Sequence, residues 1–332
     1  MLVANTIVDL RRWRAAADGP VGLVPTMGAL HAGHLSLVSA ARTRCPTVVV
    51  SVFVNPLQFG DAKDLATYPR DLTGDLDELR AAGVDAVFAP DAEAFTDDLA
   101  TSVKVTGLTD RYEGAFRPGH FAGVTTVVVK LFNAVGPHLA FFGEKDYQQL
   151  ATIRRMVADL NVPVDVVGLP TVRDGDGLAL SSRNVHLTAD ERTRALRLSQ
   201  ALRGAAAAWS GDADAARAAL WGALRDGDGI AVDYAEVVDP DTLEPLSGPG
   251  HDAARALVAA RVGGTRLIDN LLLAPGEAVD DRGVHAASVE HVDGGCGGAT
   301  HNGPGNVSRG RSREGRPSAG DRATHDGPIE GA

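Results

Sequence analysis

The run Val48–Val54 is apolar at almost every position. A strand with one wet face alternates apolar and polar residues, whereas a strand covered on both faces reads as a continuous apolar stretch. Such a strand demands helices on either side of its sheet, which restricts the chain to a layered α/β arrangement. The surrounding sequence agrees. Short β-branched runs at Val21–Pro25, Asp85–Ala89 and Leu139–Phe142 alternate with helical periodicity over Leu35–Arg44, Leu72–Ala82 and Gln148–Asp159. The pattern predicts a doubly wound parallel sheet of Rossmann-like type. The N-terminal residues read as a short strand and helix, without the basic start and apolar core of a secretory signal. The segment Val124–Val135 is rich in β-branched residues but long enough for a buried helix, and helix is the favoured reading.

Near Pro170 the character changes. A strand-like Thr171-Val172-Arg173 leads into a Gly-rich turn, then come Ala-rich helices over Ala189–Gly204 and Ala213–Arg225. Short strands follow at Tyr234–Val238, Arg255–Val262 and Thr265–Asn270. At 332 residues the chain exceeds one small core. The expected division is an α/β domain over 1–170, a smaller α+β domain over 171–275 and a disordered tail over 283–332. That tail is Gly-rich and lacks the large apolar residues whose burial would offset ordering. Its scattered histidines, His285, His291, His301 and His325, have no metal-site spacing.

No stretch approaches the ~18 uninterrupted apolar residues of a membrane span. A formal net charge of -11 argues against a nucleic-acid partner. The two cysteines, Cys45 and Cys296, have no spacing that points to a disulfide framework or a zinc site, and Cys45 reads as a small buried residue. These features together place the protein in the cytoplasm.

The chemistry concentrates where the first strand ends. Val21–Pro25 runs into Thr26-Met27-Gly28-Ala29-Leu30-His31-Ala32-Gly33-His34, and a helix begins at once. A strand, a small-residue turn and a helix start together present amide N–H groups and a positive helix end to a phosphate. His31 and His34, three apart, share one face of the first turn, and Gly33 keeps the backbone bare between them. A lone H-x-G-H is equally consistent with histidines that merely cap the helix. Three further segments follow strands or flexible turns. Gln58 lies just past the 48–54 strand, at the carboxyl end where open α/β sheets bind ligands. Lys145 follows the strand at Leu139–Phe142. Leu180-Ser181-Ser182-Arg183 brings two hydroxyls and a guanidinium on a loop able to close over a polyphosphate.

As a set these segments resemble the pantothenate synthetase family from about Val21 to Leu273. VPTMGALHAGHLSLV, FVNPLQF, YPRDL, RPGHFAGVTTVV, FGEKDYQQL and DGLALSSRN occur in the family's order and spacing. The resemblance implies ATP-dependent joining of pantoate and β-alanine through a pantoyl adenylate, with AMP and pyrophosphate released, and with ATP and Mg²⁺ required. It implies an ATP site formed by Met27, Gly28, Ala29, Leu30, His31, Ala32, Gly33 and His34, completed by Gly143, Glu144, Lys145, Asp146, Val172, Leu180, Ser181, Ser182 and Arg183. Of these, His34 is the family's acid-like residue, and His31, Lys145, Ser181, Ser182 and Arg183 join it in catalysis. Gln58 is expected to hold pantoate and β-alanine, and Gln149 pantoate. Arg117 and His120 lie near the site by analogy, and Asp71 and Asp75 are candidates for a magnesium shell. A homodimer is also implied. Two other readings stay open: a nucleotidyl-transfer enzyme of the same fold with another substrate, and a non-catalytic nucleotide-binding protein.

Overall fold

A computed structural model describes residues 1–225 and 229–275. Six parallel strands form the first sheet: β1 (Leu2–Ala4), β2 (Val21–Thr26), β3 (Thr47–Val52), β4 (Ala86–Phe88), β5 (Leu139–Gly143) and β6 (Asp165–Leu169). Their spatial order is β1-β4-β3-β2-β5-β6, with every pairing parallel. From β2 the chain winds outward through β3 and β4, then returns to add β5 and β6 on the other side. The order therefore reverses between β2 and β5, and a crevice opens beyond their carboxyl ends.

The apolar run at 48–54 is the source of this layering. Val48, Val49 and Val50 are all fully buried, Val49 toward one core and Val48 and Val50 toward the opposite one. Helices supply the cover: α1 (Ile7–Arg14), α2 (Ala32–Arg44), the short α3 (Ala62–Thr67), α4 (Leu72–Ala81), the short α5 (Ala92–Thr96) and α6 (Glu113–Phe116), then α7 (His120–Val135) and α8 (Tyr147–Asp159). α7 settles the ambiguous β-branched segment as helix. It lies between two glycines in the left-handed conformation, Gly119 (φ 82°) and Gly136 (φ 59°), and buries Val124, Val127, Val128, Leu131, Phe132 and Val135 along its length. Tertiary burial has overridden the weak strand propensity of Val and Thr. Gly123 of this helix packs on the 3₁₀ turn Pro56–Gln58, where a Cβ would collide with the Leu57 carbonyl.

The second sheet is antiparallel, in the order β7-β8-β9. It contains β7 (Ile230–Val238), β8 (Ala254–Val262) and β9 (Thr265–Leu273), covered by α9 (Ala189–Ala208) and α10 (Ala213–Arg225). Thr188 and Glu191 form a reciprocal capping box that fixes the start of α9. Leu198, Leu202 and Leu220 pack here with alanines of β8 into a separate core, each such leucine worth about 1.5–3 kcal/mol on burial.

The expected strand at Thr171–Arg173 is instead a single antiparallel bridge, Arg173↔Ala179, at the neck of a loop. The edge strand is β6, immediately before it. The expected tail at 283–332 lies outside the described residues.

Candidate active site

A cavity of about 220 Å³ opens at the carboxyl ends of β2 and β5. Met27, His31, Gly33 and His34 form one wall, and Gly143, Lys145, Asp146 and Gln149 another. Val172 with Leu180, Ser181, Ser182 and Arg183 covers it, while Gln58, Arg117 and His120 line the far end. Residues spread along the chain from Met27 to Arg183 thus meet where the strand order reverses.

The first wall is held in place by its own hydrogen bonds. His31 is the N-cap of α2 and accepts the Gly33 N–H at Nδ1, 3.1 Å away, which leaves Nε2 as its protonated nitrogen. It therefore caps the helix and lines the cavity at once. The His34 ring stacks on it, centroids 4.0 Å apart and planes 28° apart. Burial, helped by His31 and Lys145, pulls the His34 pKa down to about 3. Burial also lowers His31, with Lys145 assisting. In the resting site both imidazoles are neutral, so His34 offers an N–H to phosphate rather than a positive charge.

The turn before them is held differently from the sequence expectation. Asp75, buried on α4, accepts the N–H groups of Ala29 (3.0 Å) and Leu30 (2.8 Å), and Gly28 N–H donates to the Thr26 hydroxyl (3.2 Å). Gly28 (φ 80°) and Ala29 (φ 50°) adopt left-handed backbone to make this turn. Gly28, Ala29, Leu30 and Ala32 are not among the residues that line the cavity. Asp75 is a strut for the loop and not a free magnesium ligand. Asp71 likewise caps α4, accepting the Gly74 N–H at 3.0 Å. Glu144 is also off the wall, since its carboxylate meets Arg255 at 3.1 Å.

The second wall comes from the 3₁₀ turn Glu144–Asp146 that ends β5. Lys145 Nζ lies 3.4 Å from Asp146 Oδ1, and its side chain, 20% exposed, lines the cavity. Of the following glutamines, Gln149 faces the cavity. Gln148 is buried and structural, donating to the carbonyls of Leu108 (2.7 Å) and Arg111 (2.9 Å).

At the far end the Gln58 side chain is fixed by Asn55, whose Nδ2 donates to its Oε1 at 3.0 Å, while its own Nε2 lies 3.0 Å from Met27 Sδ. Its carbonyl accepts from Arg117 (3.1 Å) and from His120 Nδ1 (2.9 Å). Burial, with Arg117 beside it, lowers the His120 pKa to about 4. The covering loop is pinned on the opposite rim: Ser182 Oγ lies 3.2 Å from Tyr68 Oη, and Arg183 pairs with Asp64 at 3.1 Å. Sequence reasoning does not single out Tyr68, Asn55 or Asp64. The YPRDL segment carries a signal for Tyr68 and FVNPLQF one for Asn55, but nothing local marks Asp64.

The depressed histidines, His34 and His120 above all, make stability depend on pH. An unfolded histidine titrates near pH 6.5, so between that value and the folded values the unfolded state binds more protons. Stability contributed by neutral His34 and His120 is complete above about pH 6.5 and falls as the pH drops toward 4, by about 1.4 kcal/mol per pH unit for each. Urea unfolding of the nucleotide-free protein at pH 7 and pH 5 will show this loss, and His34→Gln will reduce the slope. An unchanged slope in that variant would remove His34 from the account.

Comparison with known proteins points the same way as the geometry. The family model described as pantoate-beta-alanine ligase matches residues 2–272. A pantothenate synthetase of Rhizorhabdus wittichii is 52% identical over 284 residues, covering 83% of this chain and 99% of that one. One from Mycolicibacterium smegmatis is 56% identical over 269 residues, covering 80% and 85%. Among solved structures, the pantothenate synthetase of Thermus thermophilus superposes with a TM-score of 0.78 at 51% identity, over 83% of this chain and 100% of that one. The pantoate-beta-alanine ligase of Francisella tularensis, solved in complex with β,γ-ATP and β-alanine, gives 0.68 at 32% identity, over 82% and 97%. A parallel sheet whose strand order reverses above a histidine-, lysine- and serine-arginine-lined cavity, in a chain matched by these relatives over most of its length, belongs to the pantoate–β-alanine ligase family.

Proposed function

We propose that the cavity at the ends of β2 and β5 carries out both halves of the family reaction: adenylation of pantoate by ATP, then transfer of the pantoyl group to β-alanine. The observation that carries this reading is the convergence of neutral imidazoles, an ammonium and a serine-arginine loop on one cavity, which the amides of Gln149, beside Lys145, and Gln58, at the far end, also line. In the first step a pantoate carboxylate oxygen attacks the α-phosphorus and pyrophosphate leaves. Charge grows on the phosphoryl and pyrophosphate oxygens, where His31, His34, Lys145, Ser181, Ser182 and Arg183 are the available donors. In the second step the β-alanine amine attacks the acyl carbon and AMP leaves, with no covalent enzyme intermediate.

Gln58 and Gln149 suit pantoate because neutral amides satisfy hydroxyls and a carboxylate without tying that carboxylate into an ion pair. Gln58 is also assigned to β-alanine. Residues 1–170 supply the binding crevice, and residues 171–275 act as its lid. Mg²⁺ fits this site as an ion carried in by the nucleotide, with Asp146 the one carboxylate on the cavity wall among the described residues. It would supply charge neutralisation at the phosphates. A homodimer built through the N-terminal domain, working in the cytoplasm, completes the proposal. No helix among the described residues is long and apolar enough to cross a membrane.

AMP formation that requires ATP, pantoate and β-alanine together tests the reading. AMP release with pantoate replaced by amino acids, or nucleotide binding without any AMP release, would overturn it. Gln58→Ala should raise the KM for pantoate and β-alanine by roughly 10-fold, the size of one to two lost hydrogen bonds, with the ATP KM within about two-fold. A change confined to ATP would contradict the assignment.

A further inference from the structure

Two adjacent residues of β9, Asp269 and Asn270, lie almost wholly buried where the antiparallel sheet meets the active-site loops. Asn270 Nδ2 donates to two backbone carbonyls, Glu144 at 2.8 Å and Lys145 at 2.9 Å. Its Oδ1 accepts from Arg255 Nη1 at 2.6 Å, and Arg255 Nη2 reaches the Glu144 carboxylate at 3.1 Å while its guanidinium lies 3.5 Å over the Tyr147 ring. Both N–H groups of one amide are thus spent on the turn that presents Lys145, and its oxygen on an arginine that reaches the same turn. The neighbouring Asp269 accepts Arg173 through both oxygens, at 2.6 and 3.0 Å, and holds the Asn270 N–H at 2.8 Å. Arg173 follows Val172, whose carbonyl takes the Leu180 N–H at 3.0 Å, so this pair fixes the neck of the loop that carries Ser181, Ser182 and Arg183.

Buried ion pairs and amides of this kind add little stability over an apolar interface of the same volume. What they do impose is direction, because each bond holds only over a narrow range of distance and angle. Apart from the Asn270 N–H held by Asp269, the bonds of both side chains run to the 144–145 carbonyls and to two arginines, Arg255 tied to Glu144 and Arg173 next to Val172. We infer that Asn270 and Asp269 are positioning residues for adenylation: Asn270 sets the turn from which Lys145 reaches the phosphates, and Asp269, through Arg173, seats the serine-arginine loop against it. The C-terminal sheet is then a template that registers two phosphate-binding elements to each other. The inference rests on the proposed role of Lys145.

Asn270→Asp keeps the shape of the side chain and removes both donations to the 144–145 carbonyls. Pantoate-dependent pyrophosphate release, followed in single turnover below the melting temperature of the variant, should slow by roughly 10- to 100-fold, the scale of a reacting group displaced by about 1 Å. The pantoate KM should stay within about three-fold. In a Lys145→Met background the same substitution should cost less than about two-fold more, because its effect passes through Lys145. Asn270→Ser, a milder truncation with the same expectation, serves if the Asp variant does not fold. Normal adenylation in a folded variant, or losses that multiply independently of Lys145, would overturn the inference. If Lys145→Met alone leaves adenylation intact, the proposed site reading fails instead, so the two failures are distinguishable.

Discussion

Replacing Lys145 by methionine will lower pantoate-dependent pyrophosphate release by roughly 10²-fold or more, about 3 kcal/mol of lost transition-state stabilisation. Methionine keeps the apolar stem that packs at the end of β5 and removes only the ammonium. The other donors in the cavity are neutral imidazoles, hydroxyls, Arg117 and Arg183; Arg117 is drawn to the Gln58 backbone carbonyl and to Glu113, and Arg183 is paired with Asp64 across the rim. Lys145 is therefore the cation already committed to the cavity, since its ion-pair partner is the neighbouring Asp146 on the same wall, at 3.4 Å. Because charge on the leaving pyrophosphate develops during the reaction, the loss should appear mainly in turnover, with a smaller rise in the ATP KM. Single-turnover measurement separates these. Near-normal adenylate formation would contradict the assignment.

Replacing Glu113 by alanine will cost about 3 kcal/mol or more and lower the melting temperature by roughly 6 °C or more. Its carboxylate is buried at the start of α6 and takes both arms of Arg266, at 2.6 and 2.7 Å, together with the Tyr234 hydroxyl at 2.8 Å. Burial alone would raise its pKa; the Arg266 pair and Tyr234 outweigh burial and hold it below the usual range. Alanine leaves Tyr234 without this partner and Arg266 with only Asp233, at 2.6 Å. Removing both ends of the pair, as Glu113→Leu with Arg266→Met, should recover part of the loss, since the arginine is no longer left facing a missing carboxylate, while Asp233 gives up its Arg266 partner. Thermal denaturation of the single and double variants decides the matter: a single variant melting within about 2 °C of the parent would show the pair to be dispensable.

The elements around the parallel sheet are legible in the sequence because local pattern and tertiary role coincide there. Val48–Val50 are continuous because both faces are covered, and His31 and His34 stand out because a strand, a turn and a helix meet beside them. Where local and long-range demands diverge, sequence is silent or misleading. Asp75 reads as a metal ligand because a carboxylate near a phosphate site usually prompts that reading, yet its partners are amides more than forty residues upstream. The stretch Thr171–Arg173 has strand-forming residues, but Arg173 is drawn instead to Asp269, 96 residues away. Asp64 is an ordinary polar residue until folding sets it against Arg183. The adjacency of Lys145 and Asn270, 125 positions apart, has no local signature at all.

The carboxylate of Asp75 occupies amides that the turn after β2 could otherwise have offered to any passing anion. The chain brings its own guest to that seat, so the loop takes its shape during folding and the nucleotide meets a finished surface. On the proposed reading, selection among anions then falls to the imidazole, ammonium and guanidinium groups of the cavity rather than to these main-chain groups, which would greet all anions alike.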